Sequence, residues 1–239
     1  LDIWSEIELL MSLAVIGQTR ENCCFPTLLD DASPQLQAKN LQHLLLDEDK
    51  NIPNDITAHN ETRIITGSNM YGKTTFLRTV ASSAVLASAG APVCAASFQL
   101  TRLHVFTSIR VTDDITKGLS TFYAELLRIK SMVEFAKKKT PMLICIDEIF
   151  KGTNSADRII GARAAIERLT SGQNITLVST HDFELCDLLS PNDTPITNYH
   201  FAEDYDAAGR IHFDFRLQPG RCQTTNAKYL LRLTGILEE

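Results

Sequence analysis

From Thr62 onward, short unbroken apolar runs alternate with longer stretches in which apolar residues recur at helical spacing. Arg63-Ile64-Ile65-Thr66, Met142–Ile146 and Asn174–Ser179 read as buried strands of a sheet covered on both faces. Thr75–Ala89 reads as a helix stopped by Gly90 and Pro92. Ser120–Lys139 places Phe122, Leu126, Ile129 and Val133 at helical spacing, and Ala156–Leu169 reads as another helix. Phe98–Val111 alternates as one or two strands, and Thr112–Leu119 reads as a polar loop. Phe183–Leu189 follows as a short helix. Thr197–Ala202 and Arg210–Leu217 form a closing hairpin turning at or near Ala207-Ala208-Gly209, and Thr225–Leu233 is a last amphipathic helix. Ahead of this core, Leu1–Gly17 carries Ile3, Ile7, Leu10 and Ala14 at helical spacing. Gln18 to about Asn60 reads as a polar, loop-like stretch with short apolar pieces such as Leu41–Leu46. Strands alternating with helices predict an α/β fold with a mixed, mostly parallel sheet flanked by helices.

Composition narrows the class. With 239 residues and 44% hydrophobic composition, one large core is favoured over two. A net charge of −6 argues against a domain that wraps nucleic acid by itself, since such domains are usually basic. Cysteines 23, 24, 94, 145, 186 and 222 form no C-x-x-C pair and fit free thiols in a reducing compartment better than disulfides or zinc. The weakly polar stretch Val80–Leu100 is broken by Gly90 and Pro92, which favours a buried helix and strand over a membrane span. Lys137-Lys138-Lys139 suits the solvated end of a helix halted by Pro141. The expectation is a piece of a longer cytoplasmic or nucleoid-associated protein, with no membrane contact from this chain.

Gly67-Ser68-Asn69-Met70-Tyr71-Gly72-Lys73-Thr74 follows the first buried strand and reads G-x-x-x-x-G-K-T, a phosphate-binding loop. Its glycines allow backbone N–H groups to turn toward phosphate oxygens, Lys73 reaches the β/γ-phosphates, and the Thr74 hydroxyl can hold Mg²⁺. The following helix directs its positive N-terminus at the same anion. Asp147-Glu148 ends the strand Met142–Ile146. In a phosphate-loop protein the first carboxylate binds Mg²⁺ and the second can deprotonate the attacking water; by itself such a pair also reads as a helix cap or solvated turn. Ser179-Thr180-His181 ends another strand, where His181 can meet the γ-phosphate or the water; Asp182 can cap a helix that starts there, and both roles can hold together. Ser120 is open between helix cap and ligand.

Together these residues resemble the ATPase domain of the MutS family of DNA mismatch-repair proteins, over nearly the whole chain. The resemblance rests on Thr66–Thr75 with its Asn69-Met70, on Asp113-Asp114 with Ser120-Thr121-Phe122, and on Asp147-Glu148-Ile149 with Lys151-Gly152-Thr153. It also rests on Ser179–Leu185, Pro53-Asn54-Asp55 and Pro219-Gly220. It implies an ABC-like, Mg²⁺-dependent ATPase acting as a homodimer or paralogous heterodimer through the ATPase face. ATP or ADP would be held by Gly67 to Thr75, with Thr74 and Asp147 on Mg²⁺ and with Lys73, Glu148 and His181 in catalysis. Ser120 would reach the partner's γ-phosphate in trans. DNA would be recognised by upstream domains absent from this chain. Residues 1–60 would then be the end of a connecting helix and a lead-in segment, and 61–239 the ATPase domain.

Ser68 and Tyr71 stand where family members often carry Pro and a small residue, and Asn51 stands near the place of an aromatic that stacks on adenine. Phe215 matches a position that also packs the base. These departures suggest a divergent MutS-like paralogue. Two other readings stand beside it. One is an ABC-type ATPase of another system, although no L-S-G-G-Q-like signature precedes the acidic strand. The other is a nucleotide-dependent scaffold with little turnover, against which Glu148 speaks.

Overall fold

A computed structural model of the chain describes residues 2–67, 72–109, 121–151, 154–188, 194–205 and 211–222. In chain order its elements are α1 (Asp2–Thr19), β1 (Thr27–Leu29), β2 (Gln35–Leu41), β3 (Asn54–His59), β4 (Thr62–Thr66), α2 (Lys73–Ser88), β5 (Ser97–Thr101), β6 (His104–Ser108), α3 (Thr121–Ala136), β7 (Met142–Ile146), α4 (Ser155–Thr170), β8 (Asn174–Ser179), β9 (Ile196–Tyr205) and β10 (Ile211–Pro219), with short 3-10 turns at Glu48–Lys50 and Phe183–Asp187.

The larger sheet runs β10-β9-β4-β8-β7-β6. Its strands from β9 to β6 pair in parallel, and β10 closes the edge antiparallel to β9. Every residue of β4, β7 and β8 is buried, as expected of strands covered on both faces. Alternate residues serve opposite layers. Leu143, Cys145 and Leu177 join a cluster with Phe76, Leu77 and Val80 of α2. Met142, Ile144, Ile146 and Val178 join Ile129 and Met132 of α3 and Ile166 of α4. The fold is α/β with mixed sheets flanked by helices. The stop read at Gly90 holds: Gly90 has φ +78°, its N–H bonds to Ala87 and that of Ala91 to Leu86, a Schellman cap.

The loop-like reading of Gln18 to Asn60 is overturned. This stretch supplies β1, β2 and β3 of a second sheet, ordered β1-β5-β2-β3. Alternation is present, with Leu36, Ala38, Ile56 and Ala58 buried, but two of these inward positions are alanine and weaken the signal. The strand that completes the sheet, β5, comes from the far side of α2 in sequence. Within Phe98–Val111, whose residues 110 and 111 lie outside the described residues, β5 belongs to the smaller sheet and β6 to the edge of the larger. The helical spacing near the N-terminus corresponds to α1, yet Ile3, Trp4, Leu10 and Met11 are each more than half exposed.

A buried ion pair ties β3, β4 and β9 together. Arg63 bonds Glu61 at 2.7 Å, donates to the Thr57 carbonyl and lies 4.5 Å from the centre of the Tyr199 ring. The other Glu61 oxygen accepts from Thr197 at 3.0 Å.

Candidate nucleotide-binding and hydrolytic site

The parallel order β4-β8-β7 brings three strand ends side by side. The phosphate-loop glycines follow β4, the acidic pair follows β7, and Thr180-His181 follows β8. The carboxyl edge of parallel strands is where α/β sheets place ligands. Gly67 and Gly72 have φ of +132° and +91°, and Gly72 stands at the N-terminus of α2. A Cβ on Gly67 would lie 2.9 Å from the Phe201 carbonyl oxygen, so the loop leaves β4 against β9 only because this residue has no side chain.

Lys73, 3% exposed, donates from Nζ to the Gly67 carbonyl at 2.5 Å. Burial pulls its pKa down to about 8, against the attraction of Glu148 and Asp147. An incoming phosphate would bring further negative charge to this desolvated ammonium and favour its charged form.

The Thr74 hydroxyl donates to Asp147 Oδ2 and the Ser179 hydroxyl to Asp147 Oδ1, each at 2.7 Å. A hydroxyl beside a carboxylate is a hard-oxygen pair that fits Mg²⁺, which usually takes one or two protein groups along with substrate phosphates and water. Among the described residues, no three His, Cys, Asp or Glu side chains converge into an all-protein metal cage.

Glu148 has φ +53°, and its N–H meets both the Ser179 hydroxyl at 2.9 Å and the Ser179 carbonyl at 3.1 Å. Its Oε1 lies 3.0 Å from His181 Nε2, and its Oε2 pairs with the Lys151 ammonium. Burial pushes the carboxyl pKa up, but Lys151 and His181 outweigh it and hold the group below the usual carboxylate range. Glu148, Lys151, Arg158 and His181 line a hollow of about 180 Å³. Asp182 occupies the N-cap position of the turn Phe183–Asp187 but makes no capping bond with its side chain. Its carboxylate instead takes a bidentate grip from Arg158, both bonds 2.7 Å. The capping alternative for Asp182 is thereby replaced.

Phe215 sits in a register shift of β10, between Phe213 and Leu217, with φ +52°. Asn54 pins this bulge from both sides, donating to the Phe215 carbonyl at 3.0 Å and accepting from Leu217 N–H at 2.7 Å. The ring is thereby aimed at Gly72, where a Cβ would stand 3.3 Å from Phe215 Cδ1. A cavity of about 300 Å³ runs from Gly72, Thr74 and Thr75 to Leu41, Ile52 and Phe215. Asn51 also lines it, but its amide is turned onto His43, accepting from the backbone N–H at 3.0 Å and donating to the carbonyl at 2.7 Å.

A family model described as MutS domain V matches residues 63–236. The chain belongs to the MutS family. DNA mismatch repair protein MutS of Natronomonas pharaonis is 31% identical over 241 residues, covering 98% of this chain and 27% of the relative. MutS of Roseiflexus sp. is 36% identical over 194 residues, 77% of this chain and 17% of the relative. MutS of Thermus thermophilus is 32% identical over 189 residues, 79% and 23%. The chain thus spans about a quarter or less of the length of these curated relatives.

The MutS match begins on β4 and includes the whole constellation. Lys73, Thr74, Asp147, Glu148 and His181 converge, while Thr75 and Phe215 flank the cavity. Ser68, Asn69, Met70, Tyr71 and Ser120 lie outside the described residues, as do Asp113-Asp114, Gly152-Thr153, Ala207-Ala208-Gly209 and Thr225–Leu233. Sequence reasoning assigned no role to Ser179, Lys151, Arg158 or Glu125. Ser179 immediately precedes Thr180-His181 and Lys151 follows the acidic pair, so nearness to the motifs was the available signal for both. Arg158 and Glu125 carried none.

Proposed function

We propose that this chain is the ATP-binding and ATP-hydrolysing dimerisation domain of a MutS-like DNA-processing protein. The observation that carries the reading is the meeting of Thr74 with Asp147 and of His181 with Glu148, beside the buried Lys73. Gly67 to Thr75 would cradle the triphosphate, with Lys73 on the β/γ-phosphates and the ring of Phe215 against the base. Mg²⁺, held by Thr74 and Asp147, would neutralise charge on the phosphates. Glu148, kept ionised by His181 and Lys151, accepts the proton of the attacking water, and His181 orients that water or the γ-phosphate.

The relatives are named DNA mismatch repair proteins. By analogy, nucleotide state here would govern DNA recognition by upstream domains. Two copies would meet through the ATPase face, with Ser120 reaching the partner's γ-phosphate. No described helix is long and apolar enough to cross a membrane. By analogy with the relatives, the setting would be cytoplasmic or nucleoid-associated.

Single-turnover hydrolysis with protein in excess over radiolabelled ATP tests the reading. Turnover that depends on Mg²⁺ and is lost in Glu148→Gln supports it. Nucleotide binding without turnover would make the domain a scaffold.

A further inference from the structure

We propose that the start of α3 positions the base, with Glu125 and Phe122 clamping Phe150 and so fixing the loop that carries Glu148. The inference rests on Glu148 being the base of the proposed ATPase.

Glu148 and Phe150 both adopt left-handed backbone, with φ of +53° and +58°. Side-chain-bearing residues rarely occupy this region, and a bulky one stays there only when its surroundings hold it. Glu148 is held by Ser179. Phe150 is held by Glu125, whose Oε1 accepts the Phe150 N–H at 2.8 Å. Glu125 is 6% exposed, and burial raises its pKa, so an expensive carboxyl is kept in the core where it meets this N–H.

The Phe150 ring is gripped as well. It meets the Phe122 ring edge to face, with centroids 5.9 Å apart. It also lies close against Gly161 of α4, where a Cβ would stand 3.2 Å from two ring carbons. Phe122 and Glu125 are three residues apart, which puts both on the face of α3 turned to the loop. The aromatic of the Ser120-Thr121-Phe122 triplet thus has a task in its own chain.

The test compares Glu125→Ala, Glu125→Met and Glu125→Gln, alongside wild type and Glu148→Gln. Each is assayed for ATP affinity and single-turnover rate. Gln keeps an acceptor oxygen at the same reach, and Met fills the space without one, so it serves where Ala does not fold. The expected result is a rate about tenfold or more below wild type for Ala and Met, because small misplacements of catalytic groups are costly. ATP affinity stays within about twofold, and Gln restores most of the rate, the pattern of a transition-state effect. Wild-type rates in Met, with Glu148→Gln inactive, would overturn the clamp alone. Equal losses in Gln and Met would also overturn it, since the charge rather than the acceptor would then matter. Full turnover in Glu148→Gln would remove the base and the clamp with it.

Discussion

The Thr74 hydroxyl donates to Asp147 across 2.7 Å, joining the first turn of α2 to the end of β7. These residues are far apart in sequence, and the parallel pairing of β7 and β4 with β8 brings them together. If the pair shares Mg²⁺, Asp147→Asn raises the Mg²⁺ concentration for half-maximal ATP binding by about tenfold or more. A Mg²⁺ titration at fixed ATP checks this.

Glu148→Gln is expected to keep ATP binding and slow hydrolysis by roughly 10²-fold or more, as loss of a general base does. Lys151 and His181 lower the pKa of Glu148, so its base form persists below the usual carboxylate range. Removing the cation in Lys151→Met raises that pKa toward its ordinary value. The acid limb of the rate profile then moves to higher pH, read from single-turnover rates between about pH 3 and pH 6. An unmoved limb contradicts the pairing.

Lys73→Met tests the buried ammonium through stability. Folding lowers this pKa from 10.5 to about 8. Between those values the unfolded chain holds a proton that the folded chain has released, so this lysine makes stability rise with pH. Relative to Lys73→Met, wild type therefore gains stability as pH rises from about 7.5 to about 10 in paired urea titrations. A constant difference would place the ammonium in a solvated setting.

Arg63→Met leaves Glu61 buried without its cation. Breaking one side of a buried pair typically costs about 3–5 kcal/mol, and the loss should appear as a lower urea midpoint. A change under about 1 kcal/mol would mean that Thr197 alone satisfies Glu61.

The larger sheet was legible because β4, β7 and β8 are covered on both faces and appear as unbroken apolar runs. The phosphate loop and acidic pair were legible because each motif is contiguous. The smaller sheet was not, because Ala38 and Ala58 mark its inward face only weakly and β5 lies beyond α2. Contacts made by single residues from distant elements left no local pattern. Arg158 on Asp182, Asn54 on the Phe215 bulge and Glu125 on Phe150 exist only once the strands are ordered. Phe215 itself was found through family resemblance, and its left-handed φ shows why periodicity could not aim its side chain.

The most direct test of the central claim is calorimetric titration of the chain with ATP·Mg²⁺, for wild type and Lys73→Ala. Wild type is expected to bind one nucleotide per chain, and Lys73→Ala to lose that binding. Equal affinity in the two proteins, or no binding by folded wild type, would contradict the claim that the loop around Lys73 is the nucleotide site.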